Sequence, residues 1–404
     1  MSGGGAGPGL RELLRTGQLR TVFQPIRHLS SGADVGYEAL VRGPAGSRLE
    51  GADALVREAY RTRQVVEFDW AARASACRAA LSAGLPPDTL LFFNIEPLAI
   101  GSSCPPELLA DIEEGFRRYQ VVLEVTERSL DRDTRALLEG IDRQRHMVAG
   151  IAIDDLGTPS ASLSLLPVLG VDVIKLDLSV TQKRPSAGVT RILDIAYEEA
   201  ERTGATILAE GVETAIHEEF ARSVGAELGQ GYYFAGPGPL PEPAEPTSAW
   251  RVGHRPISDV DTPFEVLDAQ PRGHGGDQIL RPMSREISDQ AVPTTGPALM
   301  LVAVPGPDAL SDGDVRRLAD LAGRGVTVVL LGPDVPAAPG VRTGGDADDG
   351  LRDQWAVVAL SPGTASALVA RRPGSADEFE FGVTHDRRRV VAAAKSLLRR
   401  VGPR

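Results

Sequence analysis

The chain has 404 residues, of which 42% are hydrophobic, and a formal net charge of −12. Length and apolar content predict a soluble globular protein with two domains, and the negative charge argues against binding to a nucleic acid polymer or an anionic membrane. The two cysteines, Cys77 and Cys104, lack metal-ligand spacing, and no apolar run approaches the ~20 residues of a membrane helix. We therefore expect a cytoplasmic protein.

From residue 10 onward, short apolar runs alternate with longer amphipathic segments, which is typical of βα units around a parallel sheet. Eight runs predict strands, namely Thr21–Ile26, Val35–Val41, Leu90–Ile95, Val121–Val125, Gly150–Ile153, Val171–Leu176, Thr206–Ala209 and Gly231–Phe234. Helical patterns lie between most of them, at 52–63, 69–83, 106–119, 133–145, 189–203 and 216–224. This alternation predicts a (β/α)8 barrel, the TIM-like fold.

In such barrels the chemistry takes place where the strands end, because the loops that follow them surround one mouth. Polar residues occur on or just after most of the predicted strands: Glu38, Asn94, Glu124, Glu127, Asp154, Asp155, Lys175, Asp177, Glu210, Glu213 and Gln230. Several of them, taken singly, could be helix caps or rim charges. However, four of them lie within otherwise apolar strands, where an unpaired charge is costly: Glu38, Asn94, Glu124 and Lys175. The pattern therefore favours one acidic mouth that holds a cation.

The dipeptide Asp154-Asp155 ends the fifth predicted strand. Two adjacent ionised carboxylates repel each other, so a fold that points both at one place needs a cation there, and an exposed turn is the alternative. Oxygen ligands without His or Cys favour Mg²⁺ or Mn²⁺, and a shared carboxylate permits two ions. Two ions about 4 Å apart suit displacement at phosphorus, and a lysine can hold the attacking water. The residues thus predict metal-assisted phosphoester hydrolysis. Removing one acid, such as Glu38, is expected to relieve repulsion in the metal-free site.

Seven short motifs then occur in a fixed order over residues 10–237. They are Phe23-Gln-Pro-Ile26, Glu38-Ala-Leu40, Glu124-Val-Thr-Glu127, Asp154-Asp155-Leu-Gly-Thr158, Lys175-Leu-Asp177, Glu210-Gly-Val-Glu213-Thr214 and Gln230-Gly-Tyr232. This ordered series resembles the EAL domain. The resemblance implies a barrel phosphodiesterase that opens cyclic di-GMP to linear pGpG, with a possible homodimer through the barrel. The alternative is a receptor that binds cyclic di-GMP without cleaving it and signals to a protein partner; loss of metal ligands would favour that alternative, and none is lost.

The resemblance also implies a role for each matching residue. The metal ligands would be Glu38, Asn94, Glu124, Asp154, Asp155 and Glu210. Lys175 would orient the attacking hydroxide, and Glu210 would also accept a proton. The substrate would contact Gln24, Arg42, Asp177, Glu213 and Gln230, with the Arg42 guanidinium at a phosphate. Glu127 would support the loop that follows Asp155.

Two segments depart from the usual family sequence. The family commonly continues Asp-Asp-Phe-Gly-Thr-Gly-Tyr-Ser-Ser-Leu, whereas here Leu156, Pro159, Ser160 and Ala161 replace Phe, Gly, Tyr and Ser. That loop helps to place the metals and often lies at the dimer contact. Because proline fixes φ and lacks an N–H donor, Pro159 is expected either to impair the turn or to preset another one. Arg42-Gly-Pro44 stands where Arg-Trp is frequent and is expected to change only local packing.

Five prolines within residues 237–246 mark the end of the predicted barrel. We expect a flexible N-terminus at 1–9, the barrel at 10–237, a Pro-rich linker at 238–262 and a smaller α/β domain at 263–404. Strands are predicted there at 298–304, 326–331, 355–360 and 367–371, and helices at 312–322 and 387–400. The runs Gln354–Ser361 and Thr384–Arg387 weakly resemble the DICT sensory module, which implies a regulatory domain with an unknown ligand or protein partner.

Overall fold

The computed structural model describes residues 8–126, 133–157, 161–182, 186–240, 250–253, 257–268, 270, 272–291, 297–344, 350–374 and 378–402. Within these ranges the chain forms a closed eight-stranded barrel and a separate seven-stranded sheet. The predicted TIM-like barrel followed by a smaller α/β domain is therefore confirmed. Every helix in this part of the chain is too short or too polar to span a lipid bilayer.

The barrel differs from a regular (β/α)8 barrel at its first strand. Its strands are β1 (Arg20–His28), β2 (Asp34–Arg42), β3 (Leu90–Asn94), β4 (Gln120–Thr126), β5 (Gly150–Leu156), β6 (Val173–Leu176), β7 (Thr206–Ala209) and β8 (Leu228–Gly229). Neighbours from β2 to β8 are parallel, but β1 is antiparallel to both β2 and β8. The segment 29–33 between β1 and β2 is too short for the crossover that a parallel pair requires, so the first two strands form a hairpin.

The predicted position of the eighth strand, Gly231–Phe234, was wrong. The strand lies at Leu228–Gly229, and residues 231–235 form a turn in which the Phe234 and Ala235 N–H groups donate to the Gly231 carbonyl. A Cβ atom at Gly231 would meet the Val212 backbone at 2.1 Å, so only glycine fits this turn. The aromatic run at 232–234 imitates a strand because aromatic residues are enriched in strands.

Each helix that was predicted for the barrel is present in the structure, with similar limits. They are α1 (Leu10–Thr16), α2 (Ala52–Thr62), α3 (Val65–Ser82), α4 (Pro106–Arg118), α5 (Thr134–Gln144), α6 (Leu166–Leu169), α7 (Leu178–Thr181), α8 (Ala187–Thr203) and α9 (Ala215–Ser223), with a 3-10 turn at Ala161–Leu165. Side chains of Asp133, Ser186 and Thr214 accept backbone N–H groups and cap α5, α8 and α9. Helices α1, α6 and α7 were not predicted.

The second sheet has the order β12-β11-β10-β13-β14-β15-β9. Its strands are β9 (Gly273–Gly275), β10 (Leu299–Ala303), β11 (Thr327–Leu331), β12 (Val341–Gly344), β13 (Gln354–Leu360), β14 (Ala365–Arg371) and β15 (Phe379–Thr384). Its helices are α10 (Asp277–Gln290), α11 (Asp312–Gly323) and α12 (Arg387–Leu398). The edge strands β9 and β12, the strand β15 and the helix α10 were not predicted from the sequence. Strands β9 and β12 have only three and four residues, so their hydrophobic pattern is weak, whereas Phe379, Phe381 and Val383 alternate along β15 and are a signal that could have predicted it.

The second domain packs directly against the barrel. One continuous apolar cluster includes Leu165 and Leu166 of the barrel and Val391 and Leu398 of α12. At its edge, Asp142 of α5 accepts from Lys395 Nζ and from Arg399, each at 2.6 Å. The contact therefore combines apolar burial with a paired charge cluster.

Candidate active site

The inner face of the barrel changes from apolar to polar toward one end. Side chains two residues apart on a strand point to the same face, and each inward apolar residue of four strands is followed two positions later by a polar one. The pairs are Phe92 and Asn94 on β3, Val122 and Glu124 on β4, Ala152 and Asp154 on β5, and Val173 and Lys175 on β6. Because these strands are parallel, their polar residues lie at the same mouth of the barrel.

Lys175 lies at the centre of this mouth and is fully buried. Its Nζ is 2.6 Å from a Glu124 oxygen, 2.7 Å from Glu210, 3.0 Å from Asp154 and 3.6 Å from Glu38. One ammonium thus faces four carboxylates from strands β2, β4 and β5 and from the end of β7. The group keeps a net negative charge when all of its acids are ionised.

Glu38 is held from both sides by amide side chains. Asn94 Nδ2 donates to Glu38 Oε1 at 2.9 Å, and Gln230 Nε2 donates to Glu38 Oε2 at 2.8 Å. Gln230 Nε2 also donates to Gln24 Oε1 at 3.1 Å, and Gln24 Nε2 donates to the Ala235 carbonyl at 3.2 Å. The structure therefore brings four of the predicted site residues into one hydrogen-bonded chain.

A bulge at the end of β5 turns two consecutive aspartates toward one place. In a regular strand, neighbouring side chains point to opposite faces. Here the register of β5 with β6 shifts between Ile153 and Leu156, and Asp155 adopts a left-handed φ of 60°, which is costly for a residue other than glycine. As a result, carboxylate oxygens of Asp154, Asp155 and Glu210 lie within 4.8 Å of one another.

The acids of this mouth differ in their proton affinity. Burial raises the pKa of Glu124 well above its usual value, and the charge of Glu38 adds to this effect. Burial also raises the pKa of Glu210, to about 8. For Glu38, burial is outweighed by the charge of Lys175 and by hydrogen bonds from Gln230 and Asn94, which together lower its pKa. Burial likewise opposes the charged form of Lys175, but the surrounding carboxylates raise its pKa well above the usual value.

The donor atoms at the mouth fit a hard divalent cation. Both carboxylate oxygens of Glu124 and the Oδ1 atom of Asp154 are buried, and the one ammonium of Lys175, 2.6 Å from Glu124 Oε1 and 3.0 Å from Asp154 Oδ1, is shared among four carboxylates. A divalent cation would coordinate such oxygens and offset the repulsion between them. Carboxylate and amide oxygens without His or Cys are the ligands that Mg²⁺ and Mn²⁺ prefer. The predicted metal ligands are therefore chemically suited to their role.

Three further predicted residues, Arg42, Asp177 and Glu213, lie at the ends of strands or in the loops that follow them. Asp177 caps α7, its Oδ1 accepting the Ser179 N–H at 2.8 Å. Glu213 is exposed in the loop between β7 and α9, and Arg42 lies at the end of β2. The substrate contacts of Arg42, Asp177 and Glu213 stay predictions. Glu127, Pro159 and Ser160 lie outside the described residues.

Two charged residues of α3, which the sequence pattern does not mark as functional, support one side of the mouth. Asp69 Oδ2 accepts the backbone N–H of Glu96 at 2.8 Å, and the Tyr60 hydroxyl donates to Glu96 Oε2 at 2.7 Å. Arg73 is buried one turn along α3 and forms an ion pair with Asp69. These contacts anchor the loop that begins just after the predicted ligand on β3. The signal in the sequence is a pair of opposite charges four positions apart in a mostly apolar helix.

Comparison with known proteins relates the barrel to a described family. Residues 9–237, more than half of the chain, match the model of the EAL domain. The cyclic di-GMP phosphodiesterase NbdA of Pseudomonas aeruginosa is 32% identical over 256 residues, which cover 61% of this chain and 32% of NbdA. The probable cyclic di-GMP phosphodiesterase PdeB of Escherichia coli is 30% identical over 243 residues, which cover 56% of this chain and 44% of PdeB. The aligned segment thus spans less than half of either relative.

Solved structures resemble the same share of the chain. The complex of the PaMucR phosphodiesterase with c-di-GMP is 27% identical, with a TM-score of 0.49, and the match covers 57% of this chain and 96% of that one. The Klebsiella pneumoniae BlrP1 complex with calcium and cy-diGMP is 25% identical, with a TM-score of 0.47, and the match covers 55% of this chain and 56% of that one.

Proposed function

The chain belongs to the EAL domain family, and from this premise we propose that it is a cytoplasmic, metal-dependent phosphodiesterase that hydrolyses cyclic di-GMP to linear pGpG. The observation that carries the proposal is the contact of Lys175 with four carboxylates at the barrel mouth. Burying five charged groups together is a poor way to stabilise a fold, because desolvation often outweighs the attraction between them. Such a cluster, with strongly shifted pKa values, is typical of a functional site.

Two Mg²⁺ or Mn²⁺ ions are proposed to bind at this mouth. Glu38, Asn94, Glu124 and Asp154 would hold one of them, and Asp155 and Glu210 would hold the other or its water. When bound, such ions lower the pKa of water and offset negative charge at phosphorus. The grouping of Asp154, Asp155 and Glu210 oxygens within 4.8 Å supports the second position.

The protein's own groups then position the water and the substrate. Lys175 Nζ donates to the attacking water and holds it in line with the scissile P–O bond. Glu210 accepts the water proton. The water oxygen bonds to phosphorus, one bridging P–O bond breaks, and the released sugar oxygen takes up a proton from solvent, so that the ring opens to the linear dinucleotide. Gln24 and Gln230 offer amide groups to a guanine edge, and Arg42 offers its guanidinium fork to a phosphate.

The C-terminal domain is proposed to regulate this reaction. The segment that follows the Asp154-Asp155 bulge packs against the C-terminal domain. Ser164 Oγ donates to Thr327 Oγ1 at 3.0 Å, and Leu165 shares an apolar cluster with residues of β11. A change in docking would therefore act on a stretch of chain that leads directly to two proposed metal ligands. The DICT resemblance, the homodimer through the barrel and the domain limits stay predictions.

Incubation of the purified chain with cyclic di-GMP and Mn²⁺, followed by chromatography of the products, tests the proposed reaction. We expect linear pGpG, no product after addition of EDTA, and no product from a folded Glu38→Ala variant. Tight binding of intact cyclic di-GMP without any product would contradict the enzyme and favour the receptor.

Regulation is tested separately, in the full chain, with Asp142→Asn. Asp142 lies at the domain contact, where it accepts from Lys395 and Arg399. Weakening this contact is expected to change turnover without changing the affinity for Mn²⁺. Unchanged turnover, together with a compact-to-extended change in small-angle scattering, would show that docking does not control the barrel.

A further inference from the structure

A cleft lies between the two domains, and its lining residues do not include those of the barrel mouth. Its walls come from α8 of the barrel, from Ile257 in the connecting segment and from the N-terminal turn of α12. The cavity has a volume of about 420 Å³, which falls within the usual range for small-molecule sites.

The cleft contains a buried acid without a partner. Glu199 of α8 is only 3% exposed, and it lines both this cleft and a small adjoining cavity. Among the described residues no group forms a hydrogen bond or ion pair with this carboxylate, and burial raises its pKa although the nearby charges of Arg387 and Arg202 act in the opposite direction. A buried carboxylate that lacks a partner is costly, so a cationic group that enters the cleft would be favoured there.

Two arginines of α12 provide the opposite charge. Arg387 NH1 donates to the Ser361 and Thr364 carbonyls at 2.7 and 3.4 Å. Within the described ranges no carboxylate oxygen lies within 4.0 Å of the Arg387 guanidinium nitrogens, so Arg387 forms no ion pair there. Burial, together with the nearby charge of Arg202, lowers the pKa of Arg387 to about 10. Arg388 is exposed at the rim and, in the same ranges, has no ion-pair partner. Both guanidinium groups are thus available to a carboxylate.

The cleft therefore presents three kinds of surface side by side. Glu199 and Arg387 carry opposite charges and line the same space without forming an ion pair. An α-amino acid carries its ammonium and carboxylate on one carbon, so it can contact both residues at once. Pro167, Ile257 and Val391 provide an apolar wall for a side chain.

We propose that this interdomain cleft binds a free α-amino acid with an apolar side chain, whose ammonium contacts Glu199 and whose carboxylate contacts Arg387 and Arg388. The ligand joins α8 of the barrel to α12 of the C-terminal domain, so it stabilises the docked arrangement of the two domains. The inference that this site binds an amino acid does not rest on the proposed phosphodiesterase reaction.

Isothermal titration of the full chain at pH 8 with L-leucine, L-methionine and L-phenylalanine tests the proposal. At least one of them is expected to bind, whereas L-leucinamide, which lacks the carboxylate, and 4-methylpentanoate, which lacks the ammonium, are expected to bind at least tenfold more weakly. Glu199→Gln and Arg388→Ala should each weaken amino-acid binding at least tenfold, because each removes one charged contact. Arg316→Ala, a change at an exposed arginine of α11 outside the cleft, is the matched control and should bind normally.

Absence of heat and of any thermal shift with all three amino acids at 10 mM would overturn the proposal. Binding that both cleft variants retain would also overturn it, since the ligand would then lie elsewhere. Circular dichroism of each variant separates a loss of binding from a loss of folding. Hydrolysis of cyclic di-GMP, measured in parallel without amino acid, reports on the proposed reaction independently of either outcome.

Discussion

Replacement of Lys175 by methionine should reveal how strongly the acidic mouth depends on one cation. Methionine has a similar length and no charge, so Lys175→Met leaves four acids facing one another without the ammonium that now lies 2.6 to 3.6 Å from them. Removing one partner of a buried ion pair typically costs about 3–5 kcal/mol. Because Lys175 is fully buried, we expect a loss of this size in the free energy of unfolding of the metal-free protein.

The assay is urea unfolding in EDTA and in Mn²⁺. A divalent cation neutralises the same carboxylates, so Mn²⁺ should stabilise Lys175→Met more than it stabilises the original chain. The matched control is Lys395→Met, which removes another buried lysine, one that pairs with Asp142 at the domain contact. It should lower stability by the same amount with and without Mn²⁺, because Asp142 is not at the mouth.

The pH dependence provides a second check. Without Lys175 the acids lose the charge that lowers their pKa values, so the folded variant binds protons more readily than the unfolded chain. Its stability should then rise as pH falls from 8 to 5, and its difference from the original chain should shrink. A loss below about 1 kcal/mol in EDTA, of the size seen for exposed pairs, or a loss unaffected by Mn²⁺, would refute the reasoning.

Three further outcomes follow from the same geometry. Glu124→Gln, rather than Glu38→Ala, should relieve repulsion and raise the melting temperature of the metal-free protein. The reason is that the folded protein raises the pKa of Glu124 and lowers that of Glu38, so it disfavours only the Glu124 charge. Melting temperatures of the two variants in EDTA at pH 7 are compared. Mn²⁺ should bind more tightly as pH rises toward and beyond about 8, because the ion displaces the proton of Glu210; titrations in buffers of different ionisation enthalpy measure the protons released. Asp69→Asn should weaken Mn²⁺ binding several-fold by loosening the loop at Glu96, and a matched change at exposed Asp88 should not.

Much of the site was readable from the sequence because strand periodicity is a local property. Glu124 lies two positions after Val122, and Lys175 two positions after Val173, so each polar residue shares the inward face of its apolar predecessor. The alternation of strand and helix then places such residues at one mouth. The barrel and the acidic, oxygen-rich character of its mouth followed from these two rules.

Only the tertiary structure decided how these groups meet. The bulge at Asp155, with its positive φ, turns two consecutive aspartates to one place, and barrel closure puts Lys175 in contact with four acids. The position of β8, the anchoring of Glu96 by Asp69, and the cleft around Glu199 depend likewise on contacts between residues far apart in the chain. Distances between residues far apart in the chain are set by barrel closure and side-chain packing. A local hydrophobic pattern contains no information about them.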